Sequence, residues 1–128
     1  PAHVTSLEFY SAVARFVAPG GIVAVNIADG PGLAFARGQA ATLGMVFDDV
    51  AALAETGILK GRRFGNVVLI ASPSALPLEW MPRLMARGPH PATVTSGREL
   101  EHWIAGAPVV TDATAVRSPA PVSYTHLT

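Results

Sequence analysis

Hydrophobic residues recur along the first part of the chain at spacings that switch from helical to strand-like and back. Leu7, Tyr10, Ala14 and Val17 share one helical stripe, with Phe9, Val13 and Phe16 beside it. A face that wide suits a helix packed on a sheet. Thr5-Ser6-Leu7-Glu8 fits a capping box, Thr5 capping and Glu8 reaching back. Ala18-Pro19-Gly20-Gly21 ends this helix, because proline cannot continue it and glycine accepts the left-handed cap. The run from Ile22 to Ala28 lacks alternation, which predicts a short strand covered on both faces, as in a parallel sheet. Asp29-Gly30-Pro31-Gly32 then turns the chain, with Pro31 placed to open a second helix. That helix carries Leu33, Ala36, Ala40, Leu43 and Phe47 as its stripe.

Val50 to Ala54 and Asn66 to Ala71 are two further strands by the same reasoning. The stretch between them, Glu55 to Gly65, is shorter than the dozen or so residues a parallel crossover needs, so the pair is predicted to be antiparallel. The order is helix, strand, helix, strand, strand, with the last strand reversed: an α/β fold. Beyond Ser72, Pro77, Pro82, Pro89 and Pro91 punctuate a helical piece containing Met81, Leu84 and Met85, and Pro82 predicts a broken or late start. Ser96 is placed to cap a helix over Gly97 to Ala105 that turns Leu100, Trp103 and Ile104 inward. From Pro108 the composition predicts a loose tail. The expected boundaries are therefore 1–72 for the sheet-bearing unit, 73–107 for a helical extension and 108–128 for the tail. Its last residues, Ser123-Tyr124-Thr125-His126-Leu127-Thr128, resemble translated adapter sequence.

Composition narrows the function classes. Half of the 128 residues are hydrophobic and 14% are charged, enough to bury a core. Nine basic and nine acidic side chains cancel without any like-charge block, which argues against a nucleic-acid or anionic-membrane partner. The absence of cysteine excludes disulfides, a thiolate nucleophile and thiolate metal sites. The four histidines lack metal-ligand spacing, so no metal site is predicted. The apolar run from Ile22 to Ala28 falls far short of the roughly 20 residues a membrane span requires. No signal peptide is legible, and a chain that opens on Pro1 straight into a helix cap is expected to be a fragment.

Several residues invite a chemical reading. Asn26 is polar inside an expected buried strand and so demands hydrogen-bond partners, either a ligand or neighbouring loop backbone. Asn26 and Asp29 lie at and just past the strand's C-terminal end, where open α/β sheets bind ligands. His3 is the one side chain of that region with an ordinary pKa near neutrality, a general base or a solvated loop residue. Arg62-Arg63 could grip an anion or simply form a solvated turn. Asp48 and Asp49 are adjacent, hence on different faces, and form no catalytic pair. Tyr10, Trp80 and Trp103 read as packing residues.

The element order resembles the second half of the class I methyltransferase fold, that is, the C-terminal half of a Rossmann-like domain. Pro1-Ala2-His3-Val4-Thr5-Ser6-Leu7-Glu8-Phe9-Tyr10, Ala18-Pro19-Gly20-Gly21-Ile22 and Val25-Asn26 are similar to the spermidine synthase (polyamine aminopropyltransferase) family. So are Asp29-Gly30-Pro31-Gly32-Leu33, Gly61-Arg62-Arg63-Phe64-Gly65-Asn66 and Val110-Thr111-Asp112-Ala113, which together extend the resemblance over roughly residues 1 to 115. The resemblance implies transfer of an aminopropyl group from decarboxylated S-adenosylmethionine, a co-substrate rather than a tightly bound cofactor, to a polyamine acceptor such as putrescine. It implies that Pro1 and Ala2 line the nucleoside pocket and that Asn26 lies on the amine side, where His3 and Asp29, selected on their own chemistry, are expected to join it as substrate-binding residues. It places the Gly-rich loop, the ribose-binding acid and the catalytic aspartate before Pro1, so no catalytic residue is expected here and the chain alone is expected to be inactive. A cytoplasmic parent is implied, homodimeric or fused to a transporter domain. The same fold also admits an S-adenosylmethionine-dependent methyltransferase or a non-catalytic domain.

Overall fold

A computed structural model of the chain describes residues 4–79 and 92–116. Pro1, Ala2, His3, Trp80, the helical piece around Met81 to Met85 and the tail from residue 117 lie outside the described residues. Four strands, β1 (Val23–Asp29), β2 (Asp49–Glu55), β3 (Gly65–Ser72) and β4 (Ala92–Ser96), make one sheet in the order β1-β3-β2-β4. Among the described residues four helices accompany it: α1 (Leu7–Ala14), α2 (Ala34–Val46), the single turn α3 (Thr56–Leu59) and α4 (Gly97–Ile104).

The predicted order of helix, strand, helix, strand, strand is present, and β2 and β3 pair antiparallel as their short connection requires. β1 and β2 run in the same direction, but β3 lies between them and is antiparallel to both. Every pair of neighbouring strands in this sheet is antiparallel. β4 was not expected. Its alternating Thr93, Val94, Thr95 is a strand pattern, hidden between the prolines before it and the helix cap after it.

One sheet face carries the main core. Val25 and Ile27 of β1, Ala52 of β2 and Val67 and Leu69 of β3 pack there against Leu43 and the other apolar residues of α2. The opposite face holds a smaller cluster of Ala51, Leu53, Ile70 and Leu76. The expectation that β1 is covered on both faces fails on this side: Ala24 and Asn26 are exposed. The reason is size and polarity. The residues turned to the open face are alanine and asparagine, so the run hides an alternation of large apolar with small or amide side chains.

Two helix starts differ from the sequence reading. Ser6, not Thr5, is the cap of α1, its Oγ accepting from Phe9 N–H at 3.1 Å. Glu8 does not reach back; its carboxylate accepts from Asp112 N–H at 3.0 Å. α2 begins at Ala34, after Leu33 in the left-handed conformation, rather than at Pro31. Asp29 explains the shift. Its Oδ2 accepts from Ala36 N–H and its Oδ1 from Gly30 N–H, both at 2.8 Å, so the carboxylate at the end of β1 caps the helix that follows. Ser96 caps α4 by position, with no side-chain hydrogen bond.

Candidate functional site

The C-terminal end of β1, the start of α2 and the segment leading into α1 meet at one edge of the molecule. Two cavities open there. The first, about 360 Å³, is lined by Asp29, Phe35, Gly38, Pro108, Val110 and Val116. The second, about 230 Å³, is lined by Val4, Thr5, Tyr10, Asn26, Phe35 and Gln39 among others. Phe35 therefore stands between the cavity that holds Asp29 and the cavity that holds Asn26.

The two sequence-selected residues have different environments. Asn26 is exposed, so the hydrogen-bond demand argued from a buried strand does not arise, and its amide is open to solvent or a ligand. Asp29 is 4% exposed and spends one lone pair of each oxygen on backbone N–H groups. A carboxylate offers about four acceptor positions, so capacity for a further donor is left. Val4 and Thr5, which follow Pro1, Ala2 and His3 in sequence, line the Asn26 cavity.

A buried polar network holds the wall of this second cavity. The Tyr10 hydroxyl donates to Gln39 Oε1 at 2.6 Å, and Gln39 Nε2 donates to the Thr5 carbonyl at 2.9 Å. Burial pushes the Tyr10 phenol up to about 12, so it stays a neutral donor through the physiological range. Three residues further along α2, Thr42 donates to the Gly38 carbonyl and accepts from Val110 N–H, while the Val110 carbonyl accepts from Leu7 N–H. The segment around Val110 thus straps the start of α1 to α2. The sequence reading passed over Gln39 and Thr42. The available signal was their position: polar residues next to the apolar stripe of α2, where a fully buried amide or hydroxyl must find partners.

The remaining candidates sit elsewhere. Arg63 pairs with Glu55 at 2.7 Å on the surface beyond β2, and Arg62 is exposed. Asp49 accepts from Leu76 N–H at the other end of the sheet, which gives it a loop-anchoring part. Trp103 donates from Nε1 to the Leu59 carbonyl at 2.9 Å, a packing residue with a fixed ring. Among the described residues no three side chains of metal-ligating type come together. No described helix is long and apolar enough to cross a membrane.

No family model and no curated protein matches the chain. Among solved structures it is similar to the crystal structure of a probable spermidine synthase from Corynebacterium glutamicum, with 28% identity and a TM-score of 0.79. The match covers 93% of this chain and 45% of that one, so the chain spans less than half the length of its structural relative. The antiparallel four-stranded arrangement is accordingly a Rossmann-like α/β fold of the spermidine synthase type.

Proposed function

We propose that this chain is one wall of the active site of a spermidine synthase-like aminopropyltransferase and corresponds to the C-terminal half of its Rossmann-like domain. The observation that carries the reading is the structural match to a probable spermidine synthase at 28% identity over 93% of the chain. Two features support it. The paired cavities lie at the C-terminal end of β1, where sheets of this kind receive ligands. The edge of β1 away from β3 has no strand beside it among the described residues, leaving its backbone groups free to extend the sheet.

In this reading Pro1 and Ala2 line the nucleoside pocket, and His3, Asn26 and Asp29 border the amine. The acceptor nitrogen attacks the aminopropyl carbon next to the sulfonium, the C–S bond breaks, and its electrons return to sulfur as 5′-methylthioadenosine leaves. The amine proton passes to a carboxylate that this chain does not supply. What the chain contributes is position: a rigid wall, held by the Tyr10–Gln39–Thr5 network, that orients the amine against the reacting carbon.

The test is a product assay on the full-length gene product. With decarboxylated S-adenosylmethionine and putrescine it is expected to release spermidine and 5′-methylthioadenosine in equal amounts. Methylation from S-adenosylmethionine without aminopropyl transfer, or no turnover with either donor, overturns the reading. The 128-residue chain alone is expected to yield no product. Turnover by it would show that the proton-accepting carboxylate lies within the chain after all.

A further inference from the structure

Away from the paired cavities, Arg37 is held without a counter-ion. Its Nε is buried and has no hydrogen-bond partner, and its guanidinium lies 5.6 Å from the centroid of the Trp103 ring. All nine carboxylate side chains of the sequence fall within the described residues, and the one ion pair found there is Arg63 with Glu55. A half-buried arginine resting on an aromatic ring, with no carboxylate paired to it, is the arrangement that carboxylate and phosphate groups complete. The unpartnered Nε leaves the guanidinium charge uncompensated within the chain, which an external anion at the terminal nitrogens would offset.

The surroundings agree. Gly61, in the left-handed conformation at φ +72°, packs on the Gly32 backbone, where a Cβ would sit 3.2 Å from Gly32 N and 3.9 Å from an Arg37 terminal nitrogen. Lys60 and Arg62 flank that glycine, both exposed and neither in an ion pair among the described residues. Trp103 is pinned by its bond to the Leu59 carbonyl, so the ring that supports Arg37 is preorganised. The same ring, with Lys60, His102, Glu99 and the hydroxyl-bearing Thr56 and Thr93, borders an open cavity of about 380 Å³. Glu99 is the one carboxylate on that rim, against Lys60 on the rim and Arg37 at the ring.

We propose that Arg37, Trp103 and Lys60 form a binding site for a small oxyanion, the phosphate or carboxylate group of a metabolite, separate from the paired cavities and independent of the aminopropyl-transfer reading. The probes are inorganic phosphate and citrate, titrated into the full 128-residue chain at ionic strength matched with sodium chloride. The readout is Trp103 fluorescence in a Trp80→Phe background. A saturable change with phosphate assigns a phosphoryl ligand; one with citrate alone assigns a carboxylate. Arg37→Gln is expected to weaken binding roughly tenfold or more, in line with loss of charge-assisted hydrogen bonds. Lys60→Gln, an exposed position that leaves folding intact, is expected to weaken it roughly two- to fivefold. The absence of a saturable response beyond matched chloride with both probes overturns the site. So does unchanged affinity in Lys60→Gln together with unchanged affinity in a folded Arg37→Gln.

Discussion

The two faces of the sheet are built on opposite terms. One is sealed by α2, α1 and α4 over Ile27, Val67 and Leu69; the other has Ala51, Leu53, Ile70 and Leu76 at its centre and leaves Ala24 and Asn26 of β1 open. A single strand serves both. Its odd-numbered residues, Val23, Val25, Ile27 and Asp29, hold the fold, and its even-numbered residues carry little packing. Packing and exposure are thus separated residue by residue along β1 as far as Asp29, which both caps α2 and lines a cavity, and this gives each substitution a predicted side of the comparison.

The largest effect belongs to the sealed face. Leu43 is fully buried against the sheet, and Leu43→Ala is expected to cost about 2–5 kcal/mol in urea unfolding, because α2 cannot collapse into the space left. Val68, half-buried on the opposite face, should lose about 1 kcal/mol or less on truncation to alanine. Equal losses at the two sites would erase the distinction between the faces.

Asp29→Ala comes next. It strands two N–H groups, of Gly30 and Ala36, at the point where β1 hands over to α2, and each buried unpaired donor costs about 1–3 kcal/mol. A thermal melt should show a clear fall in Tm. An unchanged melt would mean that Asp29 is no helix cap and leave its carboxylate wholly to a ligand.

How much of this was legible beforehand follows from the same alternation. The apolar stripe of α2 and the shortness of the Glu55–Gly65 connection were enough to give the element order and the antiparallel β2–β3 pair. What hydropathy could not give was the environment of β1's even positions. Alanine is tolerated on either side of a sheet, so Ala24 and Ala28 looked like continuous core and made Asn26 look buried. Likewise Thr5 and Ser6 are both competent caps, and the choice between them depends on Val110, more than a hundred residues away, which fixes Leu7 N–H. The place of Asp29 at the strand's C-terminal end was legible, though it was read as just past the strand and is its last residue; its capping role needed the left-handed Leu33 that sequence does not announce. The Arg37–Trp103 contact joins residues far apart in sequence and left no local pattern at all.

Tyr10 tests the sealed face through pH. Tyr10→Phe leaves Gln39 Oε1 buried without its donor and should cost about 1–3 kcal/mol. The wild-type phenol, raised by desolvation from 10.0 to about 12, keeps its proton in the folded chain after the unfolded chain has lost it. Its contribution is therefore whole below pH 10 and is lost as pH rises towards about 12. Denaturation curves across that window should converge for wild type and Tyr10→Phe. Curves that stay parallel would show that the hydroxyl is in contact with water.

Asn26→Ala is the smallest expected effect on stability, within about 0.5 kcal/mol, because the side chain is exposed and makes no hydrogen bond among the described residues. Its value lies in what should change instead. If the open face of β1 borders the amine, the same substitution in the full-length gene product raises KM for the acceptor while Tm stays put. A raised KM with an unchanged kcat would mark lost binding common to ground and transition states; a matching fall in kcat and kcat/KM would mark an interaction made only in the transition state. A variant that melts early and binds normally would instead return Asn26 to the sealed side and undo the separation between even and odd residues.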